Sequence, residues 1–208
     1  MNISESYYYP NRMGRIILQA MEEVIGRNGV NAILKLSSHA HLIENYPPDD
    51  AALAFPFSTM SNLNEMLEQA YGPHGGRGLA LRVGRACFNA GLRQYGTQLG
   101  ITEMAFRLLP LPAKIHAGAK ALAHLFNTYT DQRVRIEEGE GVLFWHIERC
   151  PLCWQRQAAE PVCHLAVGVL QEALYWLSGG KVFIVEEKTC IAVGDSTCTI
   201  AIDQTPIT

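Results

Sequence analysis

The sequence lacks the features that mark a membrane-spanning or an exported protein. No stretch approaches the roughly 20 consecutive apolar residues that a membrane-spanning helix needs. The segment from Met1 to Pro10 has neither a positive start nor an apolar core, so the sequence predicts no signal peptide. We therefore expect a cytoplasmic protein whose cysteines stay free, because disulfide bonds are rare in reducing compartments.

Clusters of basic residues and a nucleotide-binding glycine fingerprint are also missing. The 17 Lys and Arg residues are scattered and the formal net charge is −3, whereas binding to nucleic-acid phosphates needs clustered cations. The glycine-rich segment from Tyr71 to Gly78 follows a predicted helix rather than a strand, which indicates a flexible turn and not a phosphate-binding loop. We therefore expect no nucleic-acid surface and find no motif for a nicotinamide cofactor.

The first 130 residues have the apolar periodicity of helices. Hydrophobic residues make up 48% of the 208-residue chain, enough to bury the core of one domain. Apolar residues at three- and four-residue spacing predict helices over 11–28, 30–36, 78–95 and 113–129, and a short helix from Thr102. A further helix, capped by Ser58 or Ser61, is predicted to end at Gly72-Pro73. Residues 1–130 are therefore predicted to be mainly helical.

Residues 131–203 have a different pattern, in which two hairpins flank one helix. The hairpins are predicted over 133–148 and 181–203, and the strongly apolar helix between them over 163–177. The sequence thus predicts one α+β domain over 1–208, an antiparallel β-sheet packed with helices behind a helical N-terminal portion.

Five of the six cysteines lie between positions 150 and 198, in a pattern typical of a metal site. Cys190 and Cys198 bracket a Gly-Asp turn and should stand at the base of one hairpin loop. Cys163 begins a helix, where the partial positive charge is expected to lower a thiol pKa and to favour the metal-binding thiolate. A tetrahedral zinc site needs a fourth ligand, for which Glu187, Cys150 and Cys153 are open alternatives.

The sixth cysteine, Cys87, has a different environment. It shares one helical stripe with Val83, Ala86 and Ala90, which predicts a core position rather than a ligand.

The C-terminal segment resembles the 4-vinyl reductase domain family over roughly residues 130 to 203. Three motifs carry the resemblance: Pro161-Val-Cys163-His-Leu-Ala-Val-Gly168, Val185-Glu-Glu187-Lys-Thr-Cys190 and Gly194-Asp195-x-x-Cys198. The family includes a protein of bacteriochlorophyll biosynthesis, archaeal hydrocarbon-binding proteins and sensory domains of aromatic-responsive activators, and it is structurally similar to a vesicle-tethering subunit. The resemblance implies a buried pocket for an apolar or aromatic molecule with zinc beside it.

Carried onto this chain, the resemblance places the zinc ligands on Cys163, Glu187, Cys190 and Cys198. In a regular strand Glu187 and Cys190 would face opposite sides, so this set requires a bulge or bend between them. The extra pair Cys150 and Cys153 could displace Glu187 and give an all-thiolate site, and this alternative remains open.

Aromatic residues of the same segment are the candidates for the pocket wall. Flat ligands suit aromatic walls with one or two polar atoms, which favours Phe144, Trp145, His146 and Trp176. His116 is a further candidate because the resemblance aligns it with a ligand-contacting histidine.

These observations predict a binding protein for a hydrophobic, aromatic or tetrapyrrole molecule, with structural zinc, acting as a carrier or sensor in (bacterio)chlorophyll biosynthesis. Two alternatives are a 4-vinyl reductase acting on a chlorophyllide precursor and a protein-interaction module like the tethering subunit. Whether the protein is an enzyme stays open. Gly84 and Gly91 lie on one face of the helix over 78–95, and together with the resemblance they favour a homodimer.

Overall fold

The computed structural model describes residues 6–99, 106 and 108–207. The helices are α1 (Asn11–Leu36), α2 (Phe57–Leu99), α3 (Leu111–Tyr129) and α4 (His164–Ser178). The strands are β1 (Tyr8–Pro10), β2 (Leu53–Pro56), β3 (Arg133–Glu138), β4 (Val142–Arg149), β5 (Val185–Thr189) and β6 (Cys198–Asp203). The predicted α+β class and helical N-terminal portion are confirmed, while the short helix predicted from Thr102 lies outside the described residues.

Two glycines interrupt the long helices, one at a position that the sequence did not predict and one, Gly72, at the predicted helix end. Gly26 has φ 73° and breaks α1, whereas the sequence predicted the break at Gly29. Gly72 also has φ 73° and breaks α2, and the helix resumes at Pro73. Proline is tolerated in the first turn of a helix, so the prediction of a flexible turn as far as Gly78 is wrong.

The larger sheet has four antiparallel strands in the order β3-β4-β6-β5. On the central strand β4 the alternate residues Leu143, Trp145 and Ile147 are buried and face the helices. Ile147 pairs with Cys198 at the start of β6, so the core face of the sheet leads directly to the cysteines. No helix within the described residues is both long and apolar enough to span a bilayer.

Helices α2 and α4 cross in contact through their backbones. A Cβ atom on Gly84 would lie 2.1 Å from the carbonyl oxygen of Leu165, and one on Gly168 would lie 2.1 Å from that of Leu81. The close approach predicted for Gly84 therefore occurs within the chain and offers no support for contact with a second copy. The homodimer stays a prediction.

Substitution of Gly84 tests this crossing. Gly84→Ala should lower the free energy of unfolding by about 1–3 kcal/mol, because the added methyl group forces the two backbones apart. The matched control is Gly78→Ala, an exposed helical position where a Cβ meets nothing within 4 Å and where alanine favours the helix. Urea unfolding of both variants measures the difference, and equal stabilities would contradict the crossing.

Candidate functional site

The five clustered cysteines converge at one end of the four-stranded sheet. Cys150 and Cys153 lie in the loop that follows β4, and Cys163 stands at the N-terminus of α4. Cys190 and Cys198 flank the short 3-10 helix Ile191–Val193 between β5 and β6, so the predicted position at the base of a hairpin loop is confirmed. All five side chains are at most 1% exposed and unpaired by disulfides.

The sulfur atoms have the spacing of thiolates around a single small ion. The Sγ–Sγ distances are 3.4 Å for Cys153 and Cys198, 3.5 Å for Cys150 and Cys163, 3.7 Å for Cys163 and Cys198, 3.8 Å for Cys163 and Cys190, and 3.9 Å for Cys190 and Cys198. A disulfide bond would be about 2.05 Å long. Tetrahedral zinc with bonds of about 2.3 Å separates its sulfur ligands by about 3.8 Å. The spacing therefore fits an ion between the thiols and leaves no room for an iron–sulfur cluster.

Glu187 reaches the cluster through an irregularity in β5. The pairing of β5 with β6 shifts register between Glu187 and Thr189, so the bulge that the sequence required is present. Its Oε2 accepts a hydrogen bond of 2.7 Å from the backbone N–H of Cys163. Its Oε1 is buried without a hydrogen-bond partner among the described residues. Burial, and then the neighbouring Cys190, raises the pKa of Glu187 to about 9.

Two overlapping sets of four ligand atoms are present. One set contains Cys150, Cys153, Cys163 and Cys198, and the other contains Cys163, Glu187, Cys190 and Cys198. Within each set, all atoms lie within 4.8 Å of one another. The cluster could hold a metal, and the two ligand sets that the sequence left as alternatives are both assembled.

The protonation of the thiols reflects their crowding. The pKa of Cys163 is raised well above its usual value, first by its hydrogen bond with Cys150 and then by the other thiols. This crowding opposes the lower pKa that the sequence predicts for a thiol at the helix N-terminus. The pKa of Cys153 is instead lowered, with hydrogen bonding to Cys150 as the largest cause.

A buried asparagine that the sequence analysis did not identify holds the loop of residues 150–163, here called the cysteine loop, against α2. The Nδ2 of Asn64 donates hydrogen bonds to the carbonyl oxygens of Val162, at 3.0 Å, and Leu152, at 3.4 Å. Asn64 is 3% exposed and follows Met60 by four residues on the core face of its helix. A polar residue on an apolar stripe was the available signal for this role.

An apolar cavity of about 110 Å³ lies among α1, α2, α3 and α4. Its wall is formed by Tyr9, Met13, Ile16, Ile17, Cys87, Phe88, Gly91, Leu92, Tyr95, Leu99, Leu122, Leu125, Phe126, Leu165 and Val169. Cys87 is thus a core residue as predicted and also part of this wall, and burial raises its pKa to about 12. The Tyr9 hydroxyl donates a hydrogen bond to the side-chain oxygen of Gln132. Burial raises the pKa of Tyr9 well above its usual value, so this hydroxyl stays neutral.

A second cavity of about 50 Å³ lies between the first cavity and the cysteine cluster. The two cavities share Tyr9, Ile17, Leu122, Phe126, Leu165 and Val169. Leu152, between Cys150 and Cys153, lines the smaller cavity, and Leu165, two residues after Cys163, lines both. The segments that carry the thiols are therefore also segments of the cavity wall.

The predicted pocket residues occupy different places. Trp145 is 2% exposed and lines the smaller cavity. Phe144 and His146 point to the opposite face of the sheet, where His146 Nδ1 lies 3.0 Å from the Thr199 hydroxyl. Their contact with a ligand stays a prediction.

The other two candidates also lie outside both cavity walls. Trp176 is half-buried on α4, and the Nδ1 atom of His116 contacts a carboxylate oxygen of Glu138. Their contact with a ligand likewise stays a prediction.

Comparison of the sequence with known proteins gives two findings. A sequence model of the 4-vinyl reductase domain matches residues 143–204, a range that contains all six candidate metal ligands. This match supports the resemblance of that segment to the 4-vinyl reductase domain family, without supporting the individual members named above. A search of curated proteins returned no match.

Solved structures resemble the chain over nearly its whole length. The Fe(II) unliganded H-NOX protein from K. algicida matches with a TM-score of 0.55 and 13% identity, over 93% of this chain and 95% of its own. The S. oneidensis H-NOX protein in the Fe(II)NO ligation state matches with a TM-score of 0.55 and 12% identity, over 90% and 97%. The fold resembles that of H-NOX proteins.

The function predicted from the sequence is wrong in the form given. A carrier or sensor in (bacterio)chlorophyll biosynthesis was expected, yet the fold resembles H-NOX proteins over at least nine-tenths of the chain. The two alternatives, a reductase and a tethering module, are not supported either. Each of the three functions was taken from a particular member of the 4-vinyl reductase domain family, and the family match does not distinguish between members. The two apolar cavities, of about 110 and 50 Å³, are also too small for a tetrapyrrole.

Replacement of Asn64 tests whether the cysteine loop depends on its buried amide. Asn64→Ala should lower the free energy of unfolding by about 1–3 kcal/mol, because two backbone carbonyls lose a buried donor. The control is Asn89→Ala, which removes an exposed hydrogen bond of 3.0 Å to Glu172 and should change stability by less than about 0.5 kcal/mol. Urea unfolding measures both, and a neutral Asn64→Ala would remove this support for the loop.

Proposed function

We propose that this chain is a small-molecule sensor domain, in which an apolar cavity takes the ligand and a thiolate-bound zinc ion fixes the adjoining wall. The proposal rests on one observation: the segments that carry the clustered cysteines also form part of the cavity walls. Leu152 and Leu165 line the cavities, and each lies within two residues of a buried cysteine of the cluster. Movement of Leu165 on ligand binding would therefore act directly on Cys163, which belongs to both possible ligand sets.

The size of the cavity limits the ligand to a molecule of few atoms. Drug-sized ligands occupy pockets of roughly 300–1,000 Å³, whereas an apolar cavity of about 150 Å³ binds benzene or xenon. The larger cavity here measures about 110 Å³ and its wall is almost wholly apolar. The proposed ligand is thus a small, uncharged, apolar molecule, and Trp145 contributes to the adjoining wall.

The similarity to H-NOX proteins suggests a haem, and the described wall does not fit one. Histidine, lysine and arginine are all missing from the described residues that line the cavity, so a haem would find there neither a histidine ligand nor cationic partners for its carboxylates. Cys87 remains a thiol because burial raises its pKa to about 12. A volume of about 110 Å³ is also far below what a porphyrin occupies.

Zinc is the proposed metal because of the ligand chemistry and geometry. Thiolate and carboxylate oxygen are ordinary zinc ligands, and four-coordinate protein sites with no open position are structural. The proposed set is Cys163, Glu187, Cys190 and Cys198, in which the unpartnered Oε1 of Glu187 gains a partner. Zinc would then join α4 to both β5 and β6. The homodimer is part of this proposal through the family resemblance of the segment.

Filling the cavity tests the sensor proposal. Gly91 lies on the cavity wall and an added Cβ would meet nothing within 4 Å, so Gly91→Leu should place its side chain in the open volume. Wild-type protein should bind benzene and xenon saturably in methyl NMR titrations, and Gly91→Leu should weaken this binding by at least tenfold. The control Gly78→Leu adds the same side chain at an exposed helical position and should bind like wild type.

Two outcomes would contradict the proposal. Absence of saturable binding to the wild-type protein would show that the cavity is not a ligand site. Equal binding to wild type and to Gly91→Leu would show that the probe binds elsewhere.

A further inference from the structure

The two overlapping ligand sets have the composition of a two-metal site. They contain six residues in total, and Cys163 and Cys198 belong to both. Two tetrahedra that share an edge require six ligands, of which two are shared. We propose that the cluster holds two divalent metal ions bridged by the thiolates of Cys163 and Cys198. This inference rests on the proposed metal site and extends it from one ion to two.

The distances agree with this arrangement on both sides of the shared edge. The bridging sulfurs of Cys163 and Cys198 are 3.7 Å apart. On one side, Cys150 lies 3.5 Å from Cys163 and Cys153 lies 3.4 Å from Cys198. On the other side, Cys190 lies 3.8 Å from Cys163 and 3.9 Å from Cys198. These five Sγ–Sγ distances are close to the about 3.8 Å expected within a thiolate tetrahedron, and the remaining ligand atoms of each set lie within 4.8 Å of one another.

A single ion would leave two buried ligands unused whichever set it occupied. An ion at the all-thiolate set leaves Cys190 and leaves Glu187 with its Oε1 buried and unpartnered. An ion at the other set leaves Cys150 and Cys153, both 1% exposed, packed against metal-bound thiolates. Buried polar groups without partners are costly, whereas two ions use all six side chains.

The two ions would have different structural roles because their outer ligands belong to different segments. Cys150 and Cys153 lie in the loop that contains Leu152, a residue of the smaller cavity wall. Glu187 belongs to β5, and Cys190 follows its last residue directly. One ion thus secures the loop beside the cavity, and the other secures the edge strand of the sheet.

The metal content of the full chain, purified under reducing conditions with zinc supplied, tests the inference. Native mass spectrometry and elemental analysis should find two zinc ions per chain in the wild-type protein. The double variants Cys150→Ser/Cys153→Ser and Glu187→Gln/Cys190→Ser should each retain one ion. Cys198→Ser should lose both, and the control Cys87→Ala, which changes a buried cysteine outside the cluster, should retain two.

The wild-type protein alone gives a second readout, so the test does not depend on the folding of variants. Bonds of about 2.3 Å to bridging sulfurs 3.7 Å apart place the ions about 3 Å from each other. X-ray absorption at the zinc edge should show this metal–metal scattering. One ion per chain without it would overturn the two-metal inference and leave the proposed zinc site standing. No metal at all would overturn both.

Discussion

The convergence of five buried thiols and a half-buried carboxylate that could hold a metal is the constraint on which the rest of this structure depends. Thiols and a carboxylate are seldom gathered out of water unless something compensates them, and a bound metal can return its binding free energy as folding stability. Several local irregularities serve this convergence: the bulge after Glu187, the 3-10 helix between β5 and β6, and the loop held by Asn64. Each would weaken a regular sheet or helix if it stood alone.

The same constraint explains how a small cavity could report its occupancy. The cavity lies among four helices, so a ligand bound in it would contact side chains such as Leu165. Leu165 lies in the first turn of α4, two residues after a cysteine whose backbone N–H binds Glu187. A ligand-dependent movement would therefore reach β5 through α4 without a long path of coupled residues.

The sequence predicted those features that depend on residues close together in the chain, and it missed those that depend on tertiary packing. Hairpins and helices are set by local periodicity, and the cysteine spacing was enough to predict the convergence of Cys163, Cys190 and Cys198. The break in α1 was missed because Gly26 and Gly29 are equally able to adopt positive φ, and tertiary packing decides between them.

The features that carry the proposed function were harder to predict. The cavity depends on how four helices meet, and the backbone contact of Gly84 with Leu165 fixes the separation of two of them. Such a contact has no local signature beyond the glycine itself. The predicted function was wrong for a related reason, since motifs of one segment do not determine the pocket that the remaining chain builds around it.

Amide hydrogen exchange, compared between metal-loaded and metal-stripped protein, tests most directly whether the metal organises this part of the fold. The account predicts that stripping increases exchange by at least tenfold in the loop 150–163, the first turn of α4, and β5 with the adjoining turn. The α1 helix, which contributes no ligand, should change little. Unchanged exchange around the cysteines, or an equal increase throughout the chain, would contradict the central claim.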